Sequence, residues 1–303
     1  MADANADAEA DANTNLAGDA TVALGRDASI GDILGAAGQL APDQISRVLD
    51  YQRQHGLRFG EAAVALGLAN DDDVAQALSH QFHYPFAAPG RLPLHPDLVM
   101  ASQPFSANAE VFRGIRAQLK VKLAAQLPGR RALAVVSPES GDGKSYFAAN
   151  LAIAFSQLGG RTLLIDADLR APRQHELFKL ANHNGLSNML GGRAEYQDIA
   201  ALPNLPSLFV LPVGAVPPNP LELLEGQSFV ALLADVQAKF DHIVVDTPGW
   251  HHGMDGPVIA SACGTALMVL RKGSSALAAA QDLAAALVSG AASLAGVILN
   301  DRP

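Results

Sequence analysis

The sequence predicts a doubly wound α/β domain with a mostly parallel sheet, preceded by a small helical domain. From about residue 105 onward, short apolar runs alternate with helical patterns, which is typical of strands joined by crossover helices. The runs are almost unbroken, as expected of strands that helices cover on both faces. Nearer the N-terminus, a gapless repeat with an offset of 29 residues predicts the helical domain.

Four segments follow one another along the chain. Residues 1–28 are rich in Ala, Asp and Asn, and they have too little apolar surface to offset the entropy of ordering, so we expect a disordered tail. Residues 29–84 hold the tandem helical repeat. Residues 85–104 contain several prolines and predict a linker. Residues 105–303 form the predicted α/β domain.

Glycines mark the two copies of the repeat. Gly31 matches Gly60 and Gly38 matches Gly67. Each copy predicts a short helix, a glycine that ends it and a second helix.

Composition limits the partners and the compartment. The chain has 303 residues, 49% of them apolar, and a formal net charge of -9, which disfavours nucleic acid as a partner. Cys263 is the one cysteine, so an internal disulfide framework is excluded and a reducing compartment is indicated. No apolar run reaches the roughly 20 residues of a membrane span, and we expect a cytoplasmic protein.

Six apolar runs of the α/β domain are candidate strands. They cover residues 132–137, 162–166, 208–213, 242–246, 265–270 and 294–300.

A glycine-rich loop follows the first of these runs and precedes a helical pattern. Its sequence SGDGKS can turn backbone N–H groups toward phosphate oxygens at a positive helix end. Lys144 is expected to reach the phosphates and Ser145 to ligate Mg²⁺. Pro138 stands where the consensus has glycine, ahead of the amides that hold phosphate. The expected nucleotide contacts are Ser140, Gly141, Asp142, Gly143, Lys144, Ser145 and Tyr146.

Acidic residues end two further strands. TLLIDADLR places Asp166, Asp168 and Arg170 at the carboxyl end of the second run, and HIVVD places Asp246 at the end of the fourth. Because open α/β sheets bind ligands at this edge, the acids are expected beside the triphosphate. One of the two acids of the second run could instead cap a turn. Asn300, after the last run, is expected at the nucleotide base.

From Glu110 to Asn300 the chain resembles the bacterial protein-tyrosine kinases of capsule and exopolysaccharide export, called BY-kinases. Their Walker A loop, their second "Walker A′" strand ending in D-x-D-x-R and their Walker B strand match residues 138–145, 166–170 and 244–246. With the repeat in front, the arrangement is similar to chain-length-determinant kinases of the EpsG type.

The resemblance implies phosphoryl transfer from ATP with Mg²⁺ to tyrosine hydroxyls. Lys144, Asp166 and Asp168 would be the catalytic residues, with Asp166 activating the hydroxyl and Lys144 stabilising the transferring charge. Ser145, Asp168 and Asp246 would hold the metal, and Arg170 would contact the nucleotide. The resemblance also implies a membrane polysaccharide copolymerase as activating partner, which would bring the protein to the inner membrane.

The segment EVFRGIR is similar to the family's E-x-x-R-x-x-R helix, which joins neighbouring subunits. Glu110, Arg113 and Arg116 are therefore expected at a homo-oligomer interface. The alternative is a solvated charged face with an i,i+3 Glu–Arg pair.

The chain departs from the family in its tyrosines. The cluster of tyrosines that usually follows the last strand is missing, and the sequence has four tyrosines in all. Tyr51, Tyr84 or another protein would then accept the phosphoryl group, or the cycle is ATP hydrolysis alone. A switch ATPase of the ParA/MinD type is the alternative, but the lysine such proteins carry early in the loop is absent here.

The repeat resembles the N-terminal domain of type II secretion ATPases, whose R-L-G units can bind cyclic di-GMP. Arg58 precedes the glycine pattern in the second copy, whereas Ser29 stands there in the first. A docking or packing role and a cyclic di-GMP site both remain open for this domain.

Overall fold

The computed structural model describes residues 29–81, 94–124, 132–193 and 198–301. The chain divides into two compact units, Met1–Gly90 and Arg91–Pro303. The segment expected to be disordered, residues 1–28, lies outside the described residues. Within the described ranges, no helix is both long and apolar enough to cross a membrane.

The first unit consists of short helices that repeat in pairs. They are α1 (Ile30–Ala36), α2 (Pro42–His55), α3 (Phe59–Ala65) and α4 (Asp71–Gln81). At the start of each helix, a backbone N–H donates to a side chain three residues later, on Asp32, Gln44, Glu61 and Asp73 respectively. These four acceptors are spaced by the repeat offset, so the two copies begin their helices in the same way.

The repeat glycines have two different roles. Gly38 and Gly67 have φ of +70° and +64° and follow the first helix of each copy, as expected of helix ends. Gly60 lies inside α3, where a Cβ would come within 2.5 Å of Val74. Gly31 lies inside α1, where a Cβ would come within 3.2 Å of the Phe59 ring. These two glycines therefore allow close helix packing, which the helix-stop interpretation did not foresee.

The second unit alternates strands and helices after two leading helices. Its elements are α5 (Val99–Ser102), α6 (Ala107–Ala124), β1 (Ala132–Val136), α7 (Lys144–Ser156), β2 (Thr162–Asp166), α8 (Gln174–Leu177), α9 (Leu186–Leu190), β3 (Ala200–Leu202), β4 (Leu205–Leu211), α10 (Pro220–Glu225), α11 (Gln227–Gln237), β5 (His242–Asp246), a 3₁₀ turn (Trp250–His252), α12 (Asp255–Cys263), β6 (Thr265–Arg271), α13 (Leu277–Ser289) and β7 (Ser293–Asn300).

The sheet has the strand order β3-β4-β2-β5-β1-β6-β7. All neighbouring pairs are parallel except β3 with β4, which form an antiparallel hairpin. Both β1 and β2 are buried along their whole length, and α7 is buried from Phe147 to its end. The predicted doubly wound, mostly parallel α/β fold is confirmed.

Part of the predicted linker packs against the second unit. Val99, Met100 and Ala101 of α5 are buried, and Asn150 of α7 holds the segment in place. Its Oδ1 accepts from Met100 N at 3.0 Å and its Nδ2 donates to the Asp97 carbonyl at 2.8 Å. Residues 94–104 therefore join the fold of the α/β unit.

Candidate active site

The phosphate loop, residues 137–143, joins β1 to α7. Gly141 and Gly143 have φ of +88° and +98°, a region that favours glycine, and α7 begins at Lys144. The Lys144 side chain is buried, and its Nζ donates to the Glu139 carbonyl at 3.3 Å. The loop thus places a lysine and the N–H groups at the start of a helix at one point, an arrangement that binds phosphate.

Side chains from three segments brace this loop. Asp142 is buried; its Oδ2 accepts from Glu139 N at 2.9 Å and its Oδ1 from Ser275 Oγ at 2.7 Å. Asn300 Nδ2 donates to the Asp142 carbonyl at 3.0 Å. Asp142 was predicted to contact nucleotide, but both oxygens of its carboxylate accept hydrogen bonds from the protein. Only its backbone can therefore face a phosphate. Ser275 was missed, since nothing near it in the sequence marks it.

The acids at the ends of β2 and β5 lie side by side. Asp166 and Asp246 are register partners in adjacent parallel strands, and Asp246 is also the partner of Val135 on β1, just before the phosphate loop. Both acids are fully buried. The loop and the two acids therefore share the carboxyl edge of the sheet, where doubly wound folds bind ligands.

Backbone donors fix the Asp166 carboxylate. Its Oδ2 accepts from the N–H groups of Arg173 and Gln174 at 3.1 and 2.9 Å, and its Oδ1 accepts from Asp168 N at 3.2 Å. Burial, and next the nearby Asp246, raise the pKa of Asp166 well above its ordinary value. Asp166 is thus a rigidly held carboxyl group that binds a proton readily.

The two carboxylate oxygens of Asp246 differ in their hydrogen bonds within the described residues. Its Oδ2 accepts from Gln174 Nε2 at 2.8 Å, whereas its buried Oδ1 makes no hydrogen bond within the described part of the chain. Burial raises the pKa of Asp246 to about 6, although the charge of Lys144 and the interactions with the Gln174 and Ser145 side chains lower it. A cation beside Oδ1 would remove this electrostatic cost.

The residues predicted to hold Mg²⁺ fit that ion chemically. Ser145, Asp168 and Asp246 supply oxygen ligands, which Mg²⁺ prefers. Asp246 Oδ1 is buried and accepts no hydrogen bond from the residues that the structure describes. Over the residues described, no cluster of three or more His, Cys, Asp or Glu side chains could hold a metal alone. Phosphate oxygens and water would have to complete the coordination, as is usual for nucleotide-bound Mg²⁺.

Asp168 and Arg170 make contacts within the protein. Asp168 Oδ1 accepts from the N–H groups of Arg170 and Ala171 at 3.2 and 2.9 Å, so it caps the turn after β2. The Arg170 guanidinium forms a bidentate pair with Asp255, at 3.2 and 3.1 Å. Asp255 is buried at the start of α12 and was missed by the sequence analysis. Arg170, expected at the nucleotide, is held by this carboxylate in the structure.

The turn after β5 covers the first half of the phosphate loop. Trp250 N donates to the Ser137 carbonyl at 2.9 Å. His251 Nδ1 lies 3.5 Å from Glu139 Oε2, and His252 Nε2 lies 3.4 Å from Ser140 Oγ. The predicted nucleotide contact Ser140 therefore lies next to His252 of this turn.

A cavity of about 640 Å³ adjoins the phosphate loop on the β7 side. Its lining includes Phe112 of α6, Tyr146 and Phe147 of α7, and Leu299 and Asn300 of β7. This volume suits a small organic molecule. Two residues expected at the nucleotide, Tyr146 and Asn300, thus meet in one cavity next to the loop.

The charged residues of α6 are engaged with their own unit. Glu110 is mostly exposed and pairs with Arg113, which also donates to the Pro104 carbonyl. Arg116 Nη1 donates to the Ala154 carbonyl at 2.7 Å. The predicted role of these three residues in an oligomer interface stays a prediction.

Of the four tyrosines, two lie in the described ranges. Tyr51 stacks on His55 within α2, with ring centroids 4.0 Å apart, and Tyr146 lies edge-on to Phe112. Tyr84 and Tyr196 lie outside the described residues.

Comparisons with known proteins match this chain to nucleotide-binding proteins. Residues 133–301 match the CobQ/CobB/MinD/ParA nucleotide-binding domain family. The chain is 32% identical to the putative tyrosine-protein kinase CapB of Staphylococcus aureus over 206 residues, which cover 68% of this chain and 90% of CapB. It is 38% identical to the tyrosine-protein kinase CpsD of Streptococcus agalactiae over 167 residues, covering 54% and 70% of the two chains.

A solved structure shows the same fold. The kinase domain of the Escherichia coli tyrosine kinase ETK superposes with a TM-score of 0.65 and 30% identity, covering 69% of this chain and 81% of that one.

Proposed function

The chain belongs to the bacterial tyrosine-protein kinases, and we propose that it transfers the γ-phosphoryl group of ATP to tyrosine hydroxyls. One observation carries the proposal: the phosphate loop with Lys144 and the register-paired acids Asp166 and Asp246 meet at one edge of the sheet. Phosphoryl transfer requires mainly positioning and charge stabilisation, which such a constellation supplies.

Each site residue has its own role in the proposed reaction. Backbone N–H groups at the start of α7 bind the phosphates, and Lys144 neutralises charge on the transferring group. Asp166 takes the proton of the attacking tyrosine hydroxyl, since its raised pKa suits it to hold that proton. Ser145, Asp168 and Asp246 would hold Mg²⁺, which neutralises phosphate charge when bound. The three backbone donors to Asp166 keep its carboxylate in place throughout.

The cavity on the β7 side is the proposed site of the nucleoside. It lies next to the phosphate loop, and Asn300 both lines it and holds the Asp142 carbonyl. The aromatic rings of Phe112 and Tyr146 supply apolar surface for a base. Arg170, because it is paired with Asp255, contributes to the nucleotide contacts only if that pair opens.

We place this activity in the cytoplasm, in the assembly of an exopolysaccharide. The family resemblance supports a membrane copolymerase as the partner that brings the kinase to the inner membrane and activates it. It also supports a homo-oligomer joined through Glu110, Arg113 and Arg116. The relatives described above give no support for cyclic di-GMP as a ligand of the helical repeat, and a docking role is proposed for it.

The test is a phosphotyrosine assay with matched variants. Wild-type protein, Lys144→Met and Asp166→Asn are incubated with labelled ATP, Mg²⁺ and the cytoplasmic tail of the candidate copolymerase. Both substitutions should lower phosphotyrosine by about 100-fold or more, because each removes charge stabilisation or the base. Lys239→Met and Asp235→Asn, which change exposed residues at α11, should leave it unchanged. Mass spectrometry then identifies the acceptor.

Two results would contradict the proposal. Phosphotyrosine that persists in both active-site variants would exclude the assigned roles. ATP hydrolysis without any phosphorylated protein, with and without the partner, would favour the switch ATPase.

A further inference from the structure

Gln174 connects three parts of the active site, although the motifs above assign it no role. It is fully buried at the start of α8. Its side-chain Nε2 donates to Asp246 Oδ2 at 2.8 Å and to the Ser145 carbonyl at 3.1 Å. Its backbone N donates to Asp166 Oδ2 at 2.9 Å. One residue thus touches the helix of the phosphate loop and the acids of both β2 and β5.

Both N–H groups of the Gln174 side-chain amide donate hydrogen bonds. Two buried acceptor oxygens at this position, however, receive none from the described residues. Gln174 Oε1 and Asp246 Oδ1 are buried and make no hydrogen bond in the part of the chain that the structure describes. Unpaired buried acceptors are costly. A group that satisfies Asp246 Oδ1 must bring positive charge or a hydrogen-bond donor, and hydrated Mg²⁺ brings both.

We propose that Gln174 is a positioning residue that orients Asp246 for the magnesium nucleotide. By occupying Oδ2, the amide fixes the plane of the carboxylate and leaves Oδ1 for the metal or its water. By bonding the Ser145 carbonyl, it also fixes the distance between two expected metal ligands, Ser145 and Asp246. The inference rests on the proposed function for the identity of the ligand.

The competing explanation is that Gln174 only stabilises the fold, and Gln157 provides the control. Gln157 lies just after α7, and its Nε2 donates to the Met100 carbonyl at 3.2 Å. Its Oε1 is likewise buried and has no hydrogen-bond partner among the described residues. Within the described ranges, its side-chain and backbone N–H groups donate to Met100 and Ile153, which are not site residues. Replacing it should therefore reproduce the structural cost of losing a buried amide without affecting the metal.

The experiment measures binding of a fluorescent ADP analogue to the full chain, with and without Mg²⁺. The variants are Gln174→Met, which keeps the volume and removes the donors, Gln174→Asn, whose shorter amide cannot reach both acceptors, and Gln157→Met. Both Gln174 variants should weaken the apparent Mg²⁺ affinity by about 10- to 100-fold, as is typical when a partner of a metal ligand is lost. Binding without Mg²⁺ should stay within about twofold, because the loop amides are intact, and Gln157→Met should change neither value.

A measurement on wild-type protein covers the case in which the variants do not fold. The side-chain amide resonances of Gln174 should shift on addition of Mg²⁺ to the ADP complex, and those of Gln157 should not. Wild-type Mg²⁺ affinity in the Gln174 variants, an equal loss of Mg²⁺-free binding, or an unshifted Gln174 amide would overturn the inference. If the wild-type protein itself binds no ADP with Mg²⁺, the proposed function fails instead.

Discussion

Alanine at two glycines of the phosphate loop should destabilise the protein to different extents. Gly141 and Gly143 both have left-handed backbone, with φ of +88° and +98°. A Cβ on Gly141 would meet no atom of the described residues within 4 Å, whereas a Cβ on Gly143 would approach Asn300 Nδ2 more closely than 3.0 Å. Both substitutions incur the cost of an L residue in this region, about 1–2 kcal/mol.

Gly143→Ala carries an additional cost. It must displace the Asn300 amide and break its hydrogen bond to the Asp142 carbonyl, worth about 0.5–1.5 kcal/mol. The Gly143 variant should therefore unfold with about 1 kcal/mol less stability than the Gly141 variant. For a unit of this size, that difference lowers the midpoint of thermal unfolding by about 2–4 °C. The measurement is made without nucleotide, so that steric effects on phosphate do not contribute.

Removing Asn300 separates the two costs. In an Asn300→Ala background, Gly143→Ala should destabilise the chain by the same amount as Gly141→Ala, because the obstructing amide is gone. If Gly143→Ala lowers the unfolding free energy no more than Gly141→Ala in the wild-type background, the contact with Asn300 does not contribute to stability. If the difference persists without Asn300, its cause lies elsewhere.

Two further predictions concern the buried acid and the repeat. The pKa of Asp246 rises from 3.8 to about 6 in the folded state, so the folded protein holds this proton more tightly than the unfolded chain. The free-energy cost of burying the ionised Asp246 carboxylate is absent below about pH 4, grows between about pH 4 and pH 6, and is complete above about pH 6. Asp246→Asn should thus raise the unfolding free energy at pH 7.5 by up to about 3 kcal/mol and leave it unchanged near pH 3.5. Thermal melting at the two pH values measures this difference, and an equal gain in stability at both would refute the prediction. In the repeat, Gly60→Ala should destabilise α1–α4 by about 1–3 kcal/mol, because the new Cβ overlaps Val74. Gly31→Ala should destabilise these helices less, because the Phe59 ring is 3.2 Å from the new Cβ and can shift. Amide hydrogen exchange in these helices distinguishes the two, and equal protection in both variants would count against the packing argument.

Sequence patterns predicted the central strands well because their burial dominates their composition. The predicted run 162–166 and the strand Thr162–Asp166 coincide, as do 242–246 and His242–Asp246. Strands buried on both faces leave little room for polar residues, so the acid at each end marks the sheet edge. Parallel pairing puts both acids at the same edge of the sheet, and the structure pairs them in register.

The edge strand β3 could not be predicted in this way. It is the three residues Ala200–Leu202, paired antiparallel with β4 through a tight turn. A run so short has no periodicity, and its second residue is exposed. Only its pairing with β4 makes it a strand, and pairing depends on residues outside the run.

The supporting residues of the site were missed for a related reason. Gln174 meets Asp246 and Ser275 meets Asp142, and in each pair the partners are far apart in the sequence. Glutamine and serine are common surface residues. Their role is set by the loop that carries them to the sheet edge, which no local pattern records.

An acid inside a phosphate-binding loop requires a physical explanation, since it should repel the ligand. The phosphate loop binds through backbone N–H groups, so the Asp142 side chain is free to point elsewhere. Its two oxygens accept from Glu139 N and Ser275 Oγ, while Asn300 holds the Asp142 carbonyl. The carboxylate thus ties the loop to the segment that follows β6, and the backbone carbonyl ties it to the end of β7. A loop braced in this way already has its binding conformation before a nucleotide arrives, so binding has less ordering entropy to offset.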